Sequence, residues 1–195
     1  MKKLAILLGG AVVLAACQTA APPPPPPPVD LSNPLMAPGF LAQAGSGSQF
    51  EIQSSQLALQ VSQNAAVRSF ASLLIADHRR LMQAAAAAAA SAGITPPPPV
   101  LLPQQQAALD QLRLAGAGPS FDMAFRQAQI DAHQQALSLM QNYATSGDVP
   151  ALRVAAGQAV PTIQMHLQQA QILAVAPPPP PPPLMPPGGE RGERG

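Results

Sequence analysis

Apolar side chains recur at steps of three and four residues through the interior of this 195-residue chain. That spacing is typical of amphipathic α-helices and differs from the strict alternation of a half-buried strand. The pattern predicts four long helices, at about 38–63, 64–92, 120–145 and 148–176. Asn64, Ser120 and Asp148 are of the types that cap helix starts. We expect a bend in the first helix at Gly45–Ser48 and a kink in the fourth at Pro161.

The connections between these helices are unequal in length. Short turns join the first helix to the second and the third to the fourth, whereas some 26 residues, Gly93–Gly118, separate the second from the third. A short helix is expected inside that link, at about Gln104–Leu114. Because short turns make antiparallel neighbours and a long link permits a crossover, the pattern predicts an all-α fold. The predicted architecture is a ferritin-like four-helix bundle whose helix 2–3 crossover carries a short extra helix.

The beginning of the chain has the composition of a signal peptide. Lys2 and Lys3 precede an apolar run that is too short to span a membrane and that ends at the chain's single cysteine, Cys17. The sequence Leu-Ala-Ala-Cys resembles the bacterial lipobox, which implies cleavage after residue 16 and acylation of Cys17 as a membrane anchor. Gln18 after the cysteine favours the outer membrane. The expected address is the bacterial cell envelope, lipid-anchored and facing the periplasm.

Proline tracts mark the expected domain boundaries. Pro22–Pro28 lies within an expected lipid-anchored spacer over 17–37, and Pro177–Pro183 begins an expected disordered tail over 177–195. The helical domain is expected over 38–176. Polyproline segments are extended spacers, and they can also bind a protein partner in the envelope.

Charge and composition exclude several functions. Without the signal peptide, eight arginines face nine acidic residues and no lysine remains. This balance, together with the absence of tryptophan, predicts no nucleic-acid surface. The chain carries no phosphate-binding loop, no Gly-x-Ser-x-Gly turn and no pair of cysteines. A non-enzymatic role is therefore favoured.

Glu51, His78, His133 and His166 are expected at one level near the middle of the bundle. Reflecting His78 through the first turn gives Glu51, and reflecting His133 through the last turn gives a neighbour of His166. Three imidazoles and a carboxylate suit one transition-metal ion: zinc, copper or iron. Three alternatives stay open. The histidines could be hydrogen-bonded polar core groups, or they could bind a heme or another ligand. Glu51 could instead close a capping box with Ser48.

A di-iron centre is not expected at this level. Bundles with such a centre place Glu three residues before His, whereas here Ile75, Ile130 and Ile163 hold those positions.

Several short segments occur in an order that resembles a known family. They are Phe40-Leu41, Phe50-Glu51-Ile52, Phe70-Ala71, Ala76-Asp77-His78, Gly93-Ile94, Phe121-Asp122, the helix of His133, and Pro161 with His166-Leu167. Together they resemble domain-of-unknown-function family 4142, over about 38–175. The resemblance implies an envelope protein with a ferritin-like bundle and no settled biochemical function. It also implies that six residues hold family motif positions: Glu51, Asp77, His78, Asp122, His133 and His166. Phe125 stands where a tyrosine is usual.

Two functions stay open at the level of sequence. The first is a cell-envelope lipoprotein whose bundle is a non-enzymatic binding or envelope-structural module. The alternative is a metal-binding or metal-handling protein that uses the Glu/His cluster. A small redox or hydrolytic enzyme at the same cluster is a third hypothesis.

Overall fold

The structure is a computed structural model that describes residues 30–177, and within them every regular element is an α-helix. Five helices follow one another along the chain: α1 (Ala37–Val61), α2 (Ala65–Ser91), α3 (Pro103–Leu114), α4 (Pro119–Ser146) and α5 (Pro150–Ile172). The expected all-α class and the short helix in the crossover are confirmed. In the described part of the chain, no helix is both long enough and apolar enough to cross a membrane.

Two contacts at one end of the bundle define how the helices run. Ser62, just after α1, donates its hydroxyl to Asp122 in the first turn of α4 at 2.6 Å. The side-chain amide of Asn64, just before α2, donates to the backbone carbonyl of Ala174, beyond α5, at 2.8 Å. α2 and α4 therefore begin at the end of the bundle where α1 and α5 finish. Each of α1 and α5 packs against both α2 and α4, and α3 packs against α1 and α4.

The interior consists of two apolar clusters with a polar layer between them. One cluster, nearest the α1–α2 turn, includes Phe70, Leu74 and Phe121. The other, at the far end, includes Phe40 and Tyr143, whose rings stack at 3.9 Å. A layer of seven buried polar side chains adjoins both: Glu51, His78, His133 and His166 lie between the clusters, and Ser54, Ser55 and Gln129 lie at the level of the first cluster.

α1 runs unbroken through Gly45–Ser48, so the helix does not end and restart there. The small residues let the crossover approach the helix. A Cβ added at Gly45 would lie 3.4 Å from Pro99, and the buried hydroxyl of Ser46 accepts from the backbone N–H of Leu102 at 2.8 Å. Without a new helix start there, Ser48 and Glu51 form no capping box, and that alternative is wrong.

Two expected caps are also wrong, and one is confirmed. Asn64 caps α2, accepting from the backbone N–H of Ala66 at 2.9 Å. Ser120 and Asp148 cap nothing, because α4 and α5 begin at Pro119 and Pro150 with Gly118 and Val149 before them. Proline is favoured at the first helical position since its fixed φ suits the helix and no N–H is lost there.

Candidate metal centre

Three histidines from three different helices meet in the polar layer. His78 comes from α2, His133 from α4 and His166 from α5. Their ring centroids are 5.3 to 5.6 Å apart, and one nitrogen from each ring lies within 4.8 Å of the others. All three side chains are buried. The three histidines that the sequence places at one level do converge, and His133, whose orientation the sequence left open, is fully buried among them.

Hydrogen bonds determine which nitrogen is free in two of the rings. His133 Nδ1 lies 2.8 Å from the backbone carbonyl of Gln129, one turn earlier on α4. His166 Nε2 lies 3.0 Å from a carboxylate oxygen of Asp77 on α2. Because a carbonyl and a carboxylate only accept, both of these nitrogens carry the proton and donate. The lone pairs are therefore on His133 Nε2 and His166 Nδ1, and neither has a hydrogen-bond partner.

The third ring is held more loosely. His78 Nδ1 lies 3.4 Å from the hydroxyl of Ser48 on α1, and its Nε2 is buried without a partner. A hydroxyl can donate or accept, so this ring can adopt the tautomer that leaves Nε2 free. Each of the three rings thus has one held nitrogen and one free nitrogen. Metal-binding histidines are typically held in this way, through a carboxylate or a backbone carbonyl on the nitrogen remote from the metal.

Comparison with known proteins identifies the family of this chain. A family model described as "Domain of unknown function (DUF4142)" matches residues 21–173. The chain belongs to this family. Comparison with curated proteins finds no match. A solved structure titled "CopM in the Cu(II)-bound form" superposes on this DUF4142 protein with a TM-score of 0.58. The two chains are 19% identical, and the match covers 70% of this chain and 93% of that one. The likeness shows a shared helical-bundle fold.

Burial keeps the three histidine side chains of this DUF4142 protein neutral. Burial, and secondarily the charges of the other two rings, lowers the pKa of His78 well below its usual value. Burial lowers the pKa of His133 to about 4, although the Gln129 carbonyl opposes the shift. Burial also lowers the pKa of His166, and Asp77 opposes that shift. At neutral pH all three rings therefore have lone pairs available, as ligands require.

Glu51 lies beside the cluster and contacts it from the α1 side. One carboxylate oxygen is 3.6 Å from His133 Nδ1, the nitrogen that already donates to Gln129. Both oxygens are buried without a hydrogen-bond partner. Burial raises the pKa of this carboxyl well above its usual value. The group of nitrogens that approach within 4.8 Å of one another comprises the three histidines without Glu51, so ligation by Glu51 stays a prediction.

Sequence reasoning did not identify two of the three residues that orient the rings. Gln129 is one helical turn before His133, and Ser48 sits on α1 opposite His78, and neither was a candidate. The position of Gln129, four residues before His133, was the available signal. In an α-helix the backbone carbonyl of a residue lies next to the side chain four residues later. Asp77, a family motif position in the sequence resemblance, does hold His166, and it also pairs with Arg80 at 2.6 Å.

Of the remaining predicted site residues, Asp122 lies within the described residues and Cys17 does not. Asp122, another motif position, is buried at the start of α4 far from the histidines, where it accepts from Ser62. Cys17, with the signal peptide and most of the expected spacer, lies outside the described residues, as does the tail from residue 178. Acylation, the membrane address and any partner of the proline tracts stay predictions.

Proposed function

We propose that this protein binds one transition-metal ion, with copper the first candidate, through His78, His133 and His166. One observation carries the proposal. Three buried rings from three helices each hold one nitrogen without a hydrogen-bond partner, and two of them are fixed by an acceptor on the other nitrogen. A buried nitrogen without a partner is costly, and a metal ion would satisfy all three at once.

Three imidazole nitrogens favour a transition-metal ion of intermediate softness. Neutral imidazoles suit zinc, copper, iron and nickel, and among divalent ions of this series an all-nitrogen site binds Cu²⁺ most tightly. A similarly folded chain was solved in a Cu(II)-bound form, which adds support for copper. Glu51, with an oxygen 3.6 Å from the His133 ring, is the carboxylate that would offset part of the cation's charge. Zinc and iron are the competing ions.

The proposed setting is the cell envelope. In this proposal the acylated Cys17 anchors the chain in the outer membrane, residues 17–37 act as a spacer, and the bundle over 38–176 handles metal in the periplasm. The antiparallel α1–α2 and α4–α5 pairs, linked by a crossover with its own helix, support a ferritin-like arrangement. Labelled palmitate on the wild-type chain, with none on a Cys17→Ser variant, would support the anchor. No label on the wild type would refute it.

Metal content of the purified full-length protein tests the central claim. After chelation and reloading with Cu²⁺, Zn²⁺ or Fe²⁺ separately, mass spectrometry should find about one equivalent of copper per chain. The paramagnetic resonance spectrum of the Cu(II) form should show nitrogen coupling from imidazole. A His78→Ala/His166→Ala double variant should lose the ion and the coupling.

The matched control changes two exposed positions on the same helices. Ser72 and Gln168 lie on the outer faces of α2 and α5, so Ser72→Ala/Gln168→Ala should retain the metal. Copper retained equally by both double variants would place the ion elsewhere. No retained metal of any kind would return the histidines to the structural role that the sequence left open.

A further inference from the structure

The candidate metal centre is closed to solvent in the folded chain. His78, His133 and His166 are at most 3% exposed, and the free nitrogen of each ring has almost no solvent-accessible surface. A hydrated ion therefore reaches these nitrogens only when part of the surrounding wall moves. A site that exchanges metal with its surroundings requires such an opening in the fold.

Helix α1 is the wall that can move without displacing a histidine. The three rings come from α2, α4 and α5, whereas α1 contributes none. α1 covers the cluster from the fourth side. There the Ser48 hydroxyl lies 3.4 Å from His78 Nδ1, and a Glu51 oxygen lies 3.6 Å from His133 Nδ1. Movement of α1 at this level would uncover two rings while all three stay on their own helices.

The turn of α1 at this level has a low helix propensity. Gly45, Ser46, Gly47 and Ser48 follow one another there, and glycine and serine are poorer helix formers than alanine. Gly47 also makes no close contact on its side-chain side, because a Cβ added there would meet no atom within 4 Å. Neither local propensity nor packing around Gly47 therefore holds this turn firmly in the helix.

The surroundings of the turn leave room for it to move. Gly45, Gly47 and Ser48 border a cavity of about 1080 Å³, which the crossover lines from Pro96 onward. A hydrogen bond ties the closed turn to the crossover, since the fully buried Ser46 accepts from the backbone N–H of Leu102 at 2.8 Å. When this bond breaks, the turn has free space beside it.

We propose that residues 45–48 form a gate whose transient opening gives access to the three histidines, and that the metal ion enters through it. The proposal rests on the metal site proposed above and adds the route by which that site is reached. In the open state the turn moves from His78 toward the cavity, and closure restores the Ser48 contact. The rate of access then follows the fraction of molecules in which the turn is open.

Gly47→Ala lowers that fraction without a steric cost. Alanine is favoured over glycine inside a helix by enough to reduce the open fraction about fivefold. The added methyl group meets no neighbouring atom. Gly157→Ala is the matched control, because it makes the same substitution inside α5, where the Cβ would lie at an ordinary 3.8 Å from Ala144. It stabilises a helix of the same bundle by a similar amount and leaves the gate unchanged.

Access is measured first without metal, on chelator-treated full-length protein. Diethylpyrocarbonate acylates a histidine ring at an unprotonated nitrogen, so the initial rate of labelling reports how often the cluster is exposed. The chain has three histidines, all in the cluster, and mass spectrometry follows each one. Labelling of His78 and His133 should slow about fivefold in Gly47→Ala and keep the wild-type rate in Gly157→Ala.

Stopped-flow mixing with Cu²⁺ is the second measurement. Association should slow about fivefold in Gly47→Ala and stay at the wild-type rate in Gly157→Ala. At equilibrium the wild type and both variants should bind one equivalent, since none of the three histidines has changed.

The outcomes separate the gate from the metal site. Labelling and copper association at the wild-type rate in Gly47→Ala would overturn the gate. Equal slowing in both glycine variants would also overturn it, because access would then depend on unfolding of the whole bundle. Slower labelling in Gly47→Ala alone, with no copper bound at equilibrium, would support the opening of the turn and refute the proposed function.

Discussion

Acid should destabilise the bundle through its buried histidines, and His133 allows the effect to be quantified. Burial lowers the pKa of His133 from 6.5 to about 4. Between these values the unfolded chain holds a proton on this ring and the folded chain does not. The free energy of unfolding therefore falls as the pH drops through this window. At about 1.4 kcal/mol per pKa unit, the full loss from this one ring is about 3 kcal/mol.

Glu51 changes the free energy of unfolding with pH in the opposite direction to His133. It must therefore be replaced before the contribution of His133 can be measured. Burial raises the pKa of this carboxyl well above its usual 4.5. Above that value the unfolded chain ionises at Glu51 while the folded chain stays neutral, so this residue lowers stability as the pH rises. A Glu51→Gln background eliminates the opposing contribution and leaves the histidines as the buried titrating groups of the polar layer.

The assay is urea unfolding of metal-free, full-length protein at a series of pH values between about 4 and 6.5, the two pKa values of His133. Glu51→Gln is compared with Glu51→Gln/His133→Gln, which should lose about 3 kcal/mol of the pH-dependent change across the window. His78 and His166, whose pKa values are also lowered by burial, supply the slope that remains.

The control for this assay is Gln134→His in the same background. Position 134 is exposed, so the added ring titrates alike in both states and should leave the slope unchanged. Parallel pH profiles with and without His133 would refute the reasoning, because they would mean that the ring is protonated equally in folded and unfolded chains.

Three further predictions concern stability at neutral pH and are measured by the same urea unfolding. Asn64→Ala should cost about 1 kcal/mol, because it removes the cap on Ala66 N–H. Tyr143→Phe should cost about 1–2 kcal/mol, since the hydroxyl donates to Asp148 at 2.8 Å, and burial together with Asp148 raises the tyrosine pKa to about 12. Leu74→Ala should cost about 2–5 kcal/mol, as the side chain is fully buried, while leaving metal stoichiometry unchanged.

The helices could be predicted from sequence because their signals are local. Apolar spacing located all five, and Asn64 marked the start of α2. The contact that α1 makes with the crossover at Gly45–Ser48 could not be predicted in the same way. Those residues weaken a helix in isolation, and what holds them is a contact with the crossover, where Ser46 accepts from Leu102 fifty-six positions away. Tertiary contact overrides local propensity at that point.

The candidate site, too, was predictable from the sequence only in part. Counting residues from the turns was enough to bring His78, His133 and His166 to one level, since two helices joined by a short turn run side by side. Which nitrogen of each ring is free depends on partners that counting cannot reveal. Gln129 contributes its backbone carbonyl, and Asp77 reaches His166 across a helix interface.

The polar layer has an energetic consequence that connects fold and function. Three ring nitrogens are buried without partners between two apolar clusters, and each such atom costs about 1–3 kcal/mol. Together they oppose folding by an amount comparable with the whole stability of a typical domain, about 5–15 kcal/mol. A ligand that satisfies them only in the folded chain recovers that cost, and its effect on stability grows with its concentration. Copper should therefore raise the urea midpoint of the wild-type protein and leave that of His78→Ala/His166→Ala unchanged. An equal rise in both would mean that the ion stabilises the fold from outside this layer.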